Sequence, residues 1–104
     1  MILSTTETIP NREISEVKGI ARGSTVRTRN VGRDILAGLK NLVGGEIEEY
    51  TKLQADAREQ ALQRMITDGS KLGAEAIVNV RFTTSVITQA ASEVLAYGTA
   101  VMLK

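Results

Sequence analysis

The chain contains no cysteine and no histidine in its 104 residues. A chain of this length buries about two thirds of the surface that its unfolded form exposes, and neither a disulfide nor a zinc site is available to stabilise it further. Aromatic residues make up only 3% of the sequence, so the core lacks large side chains. The sequence therefore predicts one domain, residues 1–104, that gains extra burial by forming a homo-oligomer.

The same absence excludes most of the side-chain chemistry of enzymes and metalloproteins. Cysteine or histidine is needed for thiolate nucleophiles, imidazole bases and the usual sites for zinc, haem and iron–sulfur clusters. The acids and bases that are present are Asp, Glu, Lys and Tyr, and no pair has a spacing that forces the two side chains together. We expect no cofactor and no catalytic residues. The alternative is a small-molecule enzyme with a site between subunits.

Charge and hydropathy favour neither a nucleic-acid nor a membrane partner. Lys and Arg number 13 and Asp and Glu 12, which gives a net charge of +1. The more basic stretch, residues 12–40, has no aromatic side chain on which bases could stack. No apolar run is long enough to cross a bilayer, and the N-terminus does not resemble a signal peptide. We expect a cytoplasmic protein.

Hydrophobic alternation marks the strands. The first nine residues form a short strand or stay mobile. The pattern predicts a long bent strand or a strand pair over residues 12–29. It also predicts strands over 76–84 and 93–103, joined by a loop at 85–91. Gly19 and Gly23 interrupt the first long strand, and we expect them at bulges or where another backbone comes close.

Helical spacing marks two further segments. Apolar residues recur every three or four positions over residues 31–43 and again over 46–72. Gly73 is expected to end the second helix in the left-handed conformation. The fold class is α+β, with the order β-α-α-β-β. A small antiparallel sheet, made of the long bent strand and the C-terminal hairpin, is covered on one face by two helices. Its open edges favour assembly into a ring.

Carboxylates at the start of the second helix are the best candidates for metal binding. Glu46, Glu48 and Glu49 fall in or next to its first turn, and oxygen ligands suit calcium or magnesium. The macrodipole of a helix also favours acids at this end, and Glu48 and Glu49 point about 100° apart. Glu46 and Glu49 are therefore weak metal candidates. A ring of subunits could gather the Glu46 carboxylates around its axis.

Polar residues of the predicted hairpin form the other candidate site. Asn79, Arg81, Glu93 and Tyr97 could line a ligand site at a subunit boundary, where arginine can hold a carboxylate or phosphate in a fork. The competing structural interpretation is a cross-strand ion pair between Arg81 and Glu93.

Several short motifs together resemble one known family. They are Gly45-Glu46, Tyr50-Thr51, Ala57-Arg58, Ala61-Leu62, Arg64-Met65, Leu72 to Ile77, Val80-Arg81-Phe82 and Glu93 to Val101. The pattern is similar to the YbjQ-type family of small bacterial and archaeal proteins of unknown function, and it covers essentially the whole chain. The resemblance implies an α+β subunit that assembles into a ring, most often a pentamer.

The resemblance also implies a label of heavy-metal binding. The domains from which that label derives hold soft metal ions in a Cys-x-x-Cys loop, and this chain has no cysteine. Soft ions select thiolate and thioether ligands. Only Met1, Met65 and Met102 could supply a thioether, and we expect Met65 and Met102 in packed positions.

Overall fold

A computed structural model describes residues 1–28, 48–88 and 91–104. In chain order its elements are β1 (Ile2–Leu3), β2 (Ile14–Thr28), α1 (Glu48–Lys71), β3 (Ala76–Thr88) and β4 (Ala91–Leu103). The described order is therefore β-β-α-β-β, in place of the predicted β-α-α-β-β. The predicted helix over residues 31–43 lies outside the described residues. Among the described residues, no helix has the length and apolar character needed to cross a membrane.

The described strands form a mixed sheet in the order β1-β3-β4-β2. β4 pairs antiparallel with β3 on one side and β2 on the other, whereas β1 runs parallel to β3. The prediction of a purely antiparallel sheet was wrong, because the N-terminal residues add a strand of their own. The backbone N–H of Ile2 donates to Glu75 O at 3.1 Å, and that of Ser4 donates to Ile77 O at 3.0 Å.

Helix α1 ends as the sequence predicts. Gly73 has φ +80°, its N–H donates to Ser70 O, and the N–H of Ala74 donates to Gly69 O at 3.1 Å. This pair of hydrogen bonds is the Schellman motif, which satisfies carbonyls that a helix C-terminus otherwise leaves unpaired.

The main core lies between α1 and the sheet and is built mostly from small residues. It contains Ala57, Ala61 and Met65 of α1 together with Ala21, Ile77, Val80, Val94, Ala96 and Ala100 of the strands. A Cβ built on Gly23 would lie 2.2 Å from Met65 N and 2.4 Å from Ala61 O. The helix backbone therefore lies almost directly on β2. The expected close approach is confirmed at Gly23, and a bulge occurs next to Gly19.

A second, smaller cluster lies outside this core. Ala76, Val78, Val101 and Leu103 are buried together, and Ile9 and Ile14 pack against them. Because Val101 lies between Ala100 and Met102 on β4, its side chain points away from α1. Ile9, which precedes β2, and Ile14, its first residue, thus cover one end of the sheet on the face opposite the helix.

The hairpin of β3 and β4 extends well beyond this covered end. β3 runs to Thr88 and β4 starts at Ala91, so most of the predicted loop at 85–91 is strand. Every residue from Arg81 to Thr88 is exposed. The radius of gyration is 17.2 Å, against about 13 Å for a compact domain of this length. The hairpin contributes to the elongated shape of the protein, whose extents are 53 × 23 × 16 Å.

Candidate functional site

One rung of the sheet brings together three large polar side chains. Arg22 of β2 lies opposite Tyr97 of β4, and Tyr97 lies opposite Arg81 of β3. Residues paired in this way project from the same face of a sheet. Their neighbours Gly23 and Ala96 face α1, so these three project from the opposite face. We call that face the outer face, and the three residues the Arg–Tyr–Arg row.

Arg81 is held in place by backbone carbonyls. Its Nη1 donates to Thr5 O at 2.8 Å and to Val80 O at 2.9 Å. A guanidinium has five N–H donors, so further donors are left for other acceptors. Arg81 thereby fastens the N-terminal segment to the side of β3 and is itself immobilised.

Asn79 supports the same attachment. It has φ +55° and lies in a bulge, where the pairing between β3 and β4 shifts between Val78 and Arg81. Asparagine tolerates this left-handed conformation better than most residues. The N–H groups of Asn79 and Val80 donate to Thr6 O and Ser4 O, both at 3.0 Å. The position of Asn79 is thus explained by backbone pairing.

Glu93 lies away from the other candidates. It pairs with Ser85 and with Val26 on the outer face, and it is four residues from Tyr97, or about 13 Å along β4. The described parts of β3 and β4 contain no ion pair between Arg81 and Glu93, so that structural interpretation was wrong. The bulge at Asn79 moves Arg81 opposite Tyr97.

Arg22 was considered from the sequence only as a weak nucleic-acid contact, together with Arg27, Arg29 and Arg33, and not as part of the ligand site. Its backbone N–H donates to Asp68 Oδ2 at 3.0 Å. Within the described part of the chain its guanidinium has no hydrogen bond or ion pair. Tyr97, which lies beside it, is 39% exposed. No local signal could have found it, because its importance depends on pairing with a strand seventy-five residues further along the chain.

The edge of β2 that faces away from β4 is partly covered by side chains of α1. Asp68 accepts the backbone N–H of Arg22, and Arg64 Nη1 donates to Ser24 O at 2.6 Å. Exposed edge strands otherwise present unpaired N–H and C=O groups to other chains. α1 therefore satisfies part of this edge by reaching over it.

Replacing Arg64 by alanine should destabilise the protein by about 1 kcal/mol, because it removes a charge-assisted hydrogen bond at an exposed position. Thermal unfolding at fixed protein concentration would measure this as a fall in Tm of roughly 4–8 °C. Arg58→Ala is the matched control, an exposed arginine on the same helix, and should change Tm far less. Equal effects of the two variants would contradict the edge contact.

The thiolate and imidazole donors that usually hold a soft metal ion are absent, and of the three methionines Met1 is exposed, Met102 half-buried and Met65 buried. The described residues contain no group of three or more Asp or Glu side chains placed to hold a metal. Met65 is fully buried in the core beneath α1. Glu46 lies outside the described residues, and Glu49 lies in the first turn of α1. With no cysteine or histidine in the sequence, the residues present do not fit a heavy-metal site.

Comparison with known proteins gives consistent relatives. The chain is 62% identical over 104 residues to a UPF0145 protein of Archaeoglobus fulgidus, covering 100% of this chain and 96% of that one. It is 56% identical over 103 residues to a UPF0145 protein of Vibrio campbellii, covering 99% of each chain. It is 57% identical over 104 residues to a UPF0145 protein of Halorubrum lacusprofundi, covering 100% of both. The relatives thus span archaea and bacteria.

A solved structure supports the α+β fold. The crystal structure of a DUF74-family protein of unknown function from Pediococcus pentosaceus superposes with a TM-score of 0.72, covering 100% of this chain and 98% of that chain at 16% identity. A model of the YbjQ family, described as "Putative heavy-metal-binding", matches residues 1–104. This match confirms the resemblance found in the sequence motifs, and the chain belongs to the YbjQ family.

Proposed function

We propose that this protein is a cytoplasmic, homo-oligomeric structural or ligand-binding module that acts without catalysis, with a pentameric ring as the favoured assembly. The observation that carries the proposal is the exposed outer half of β3, residues 81–88. Phe82, Val86 and Ile87 in this stretch are 46%, 76% and 53% exposed. Contact with another subunit would remove these apolar side chains from water.

The surface offers two different regions for such a contact. β1 and the residues after it pair with β3 only as far as Val80. Within the described residues, the outer half of β3 therefore pairs with β4 on one side and with no strand on its other edge. Strand β2, at the opposite edge of the sheet from β1, also exposes apolar side chains, namely Val17, Ile20 and Val26. A ring requires two different complementary surfaces on each subunit, and the two sides of this sheet meet that requirement.

The small size of the core side chains supports the same proposal. The completely buried residues of the described chain are five alanines with Met65, Ile77 and Val101, and the sequence has no cysteine from which a disulfide could form. Small domains with thin cores commonly acquire stability from oligomerisation.

Charges placed on the outer half of β3 should prevent assembly. For Val86→Lys together with Ile87→Lys, light scattering at micromolar concentration should give the 11.2 kDa of one chain. The parent protein should give about five times that mass under the same conditions. Buried lysines would have to lose their hydration, which costs several kcal/mol per unpaired charge.

Gln63→Lys is the control for this experiment, because Gln63 lies exposed on α1 and is bonded to Glu59 of the same helix. It should retain the parental mass. A folded monomer in the parent protein would refute the proposed assembly, and an unchanged mass in the double lysine variant would refute its location.

A further inference from the structure

The Arg–Tyr–Arg row is a concentration of positive charge on the outer face. The rungs on either side of it hold Ile20, Thr99 and Val78 on one side and Ser24, Leu95 and Thr83 on the other. These three rungs contain no acidic residue. Elsewhere, Lys18 is 3.2 Å from Glu16 and Lys104 is 3.2 Å from Glu13. These cations, at the end of the sheet where β2 begins and β4 ends, are paired with acids, whereas Arg22 and Arg81 form no ion pair with any of the described residues.

The spacing of the row suits a small anion. Opposed residues on neighbouring antiparallel strands have Cα atoms about 4.5–5.5 Å apart, so Arg22 and Arg81 are about 10 Å apart with Tyr97 between them. The rung therefore places one arginine on each side of the tyrosine, on the same face of the sheet. Arg81 uses Nη1 to bond Thr5 O and Val80 O, so its other guanidinium N–H groups are the ones that can bind an anion.

We infer that the Arg–Tyr–Arg row binds a small molecule carrying a phosphate or carboxylate group on a flat apolar body. The guanidiniums of Arg22 and Arg81 hold the oxyanion through forked hydrogen bonds. The flat body lies on Tyr97 and on the apolar side chains of Ile20 and Leu95 in the adjacent rungs. This inference names a ligand class for the ligand-binding role proposed above and rests on that role.

A small ligand fits these residues better than a nucleic acid does. The row contains one aromatic side chain, whereas proteins that follow a single strand stack successive bases on several. The only other aromatic side chain in the described strands, Phe82, pairs with Ala96 and so belongs to the helix-facing side. The outer face thus supplies a single stacking position with two cations beside it.

Phenyl phosphate, benzoate and inorganic phosphate are suitable probes, measured by calorimetry against the full chain at fixed ionic strength. Phenyl phosphate or benzoate should bind and inorganic phosphate should bind more weakly, because it lacks the flat body. The stronger of the first two distinguishes phosphate from carboxylate recognition. Arg22→Gln should weaken the better probe at least tenfold, since it removes a charge-assisted contact.

Arg22→Gln is preferred as the main variant because the backbone bond from residue 22 to Asp68 is retained, and its Tm should match that of the parent. Arg58→Gln on α1 is the control for net charge. Three results would overturn the inference. The first is equal weakening by both variants, and the second is no binding of any probe at about 10 mM, well above the Kd range of specific sites. The third is binding of a single-stranded oligonucleotide alone.

Light scattering on the same samples separates this inference from the proposed assembly. An oligomer that binds no probe contradicts the ligand site and leaves the assembly standing. A monomer that binds phenyl phosphate or benzoate contradicts the assembly, whereas the ligand site stands because all three residues belong to one chain.

Discussion

Replacing Gly23 by alanine should lower the free energy of unfolding by about 3 kcal/mol or more. The added Cβ would lie 2.2 Å from Met65 N, 2.4 Å from Ala61 O and 2.6 Å from Arg64 C. All three atoms belong to the backbone of α1, so no side chain can rotate to relieve the overlap. The helix would have to move off β2 and open the core, at or above the upper end of the usual cost of overpacking.

Thermal unfolding at one fixed protein concentration should show this as a fall in Tm of more than about 10 °C. Gly73→Ala is the control, because no atom of the described residues lies within 4 Å of the position that its Cβ would occupy and only its φ of +80° opposes the change. That variant should cost about 1–2 kcal/mol. A Gly23→Ala protein that melts as the Gly73→Ala protein does would show that α1 does not lie so close to β2.

Glycine positions were among the features that the sequence predicted well. Gly73 ends α1 with φ +80°, and Gly19 adopts φ +136° beside a bulge. The α1 stripe that contains Ala57, Ala61 and Met65 is also buried as its spacing predicts. These features depend on residues close together in sequence, where helix period and backbone freedom decide the outcome.

Features that depend on distant pairing were not predictable. Ile2 and Leu3 pair with Ala76 and Ile77 in parallel, and nothing in a two-residue strand specifies its partner. Residues 85–88 read Ser-Val-Ile-Thr, a composition compatible with a strand or a loop. Pairing with β4 decides between them, because it satisfies the backbone groups of this segment.

The candidate site illustrates the same limit. Arg81 and Tyr97 were both singled out, and the register places them in one rung. Glu93 was grouped with them in the expectation that the hairpin pairs it near Arg81, but the register pairs Glu93 with Ser85, and the bulge at Asn79 sets Arg81 opposite Tyr97. One inserted residue shifts every later pair. Arg22 joins the row only through β2, whose register with β4 is not encoded locally.

Ile77→Ala should destabilise the protein by about 4 kcal/mol, toward the upper end of the usual range for this substitution. The side chain is fully buried in the main core. Its Cδ1 lies 2.8 Å from the position a Cβ on Gly69 would occupy, and its Cγ2 lies 2.6 Å from the corresponding position on Gly98. Ile77 therefore fills the space that two glycines leave open. Glycine has no side chain that could move into the cavity.

The same substitution at an exposed position provides the control. Ile20 lies on the outer face and is 66% exposed, so Ile20→Ala should change the free energy of unfolding by no more than about 0.5 kcal/mol. Both values would come from denaturant unfolding at equal protein concentration. A loss below about 1.5 kcal/mol for Ile77→Ala, less than the usual range for a buried isoleucine, would mean that α1 and β4 can close the cavity.

A second substitution at Gly69 tests the shared space directly. In the parent, a methyl group on Gly69 meets Ile77 Cδ1 at 2.8 Å, which offsets the roughly 1 kcal/mol that alanine gains over glycine inside a helix. In the Ile77→Ala background that atom is absent, so Gly69→Ala should recover about 1 kcal/mol by helix propensity and by partly filling the cavity. An identical effect of Gly69→Ala in both backgrounds would mean that the two residues do not compete for space, since non-additivity is the signature of such contact.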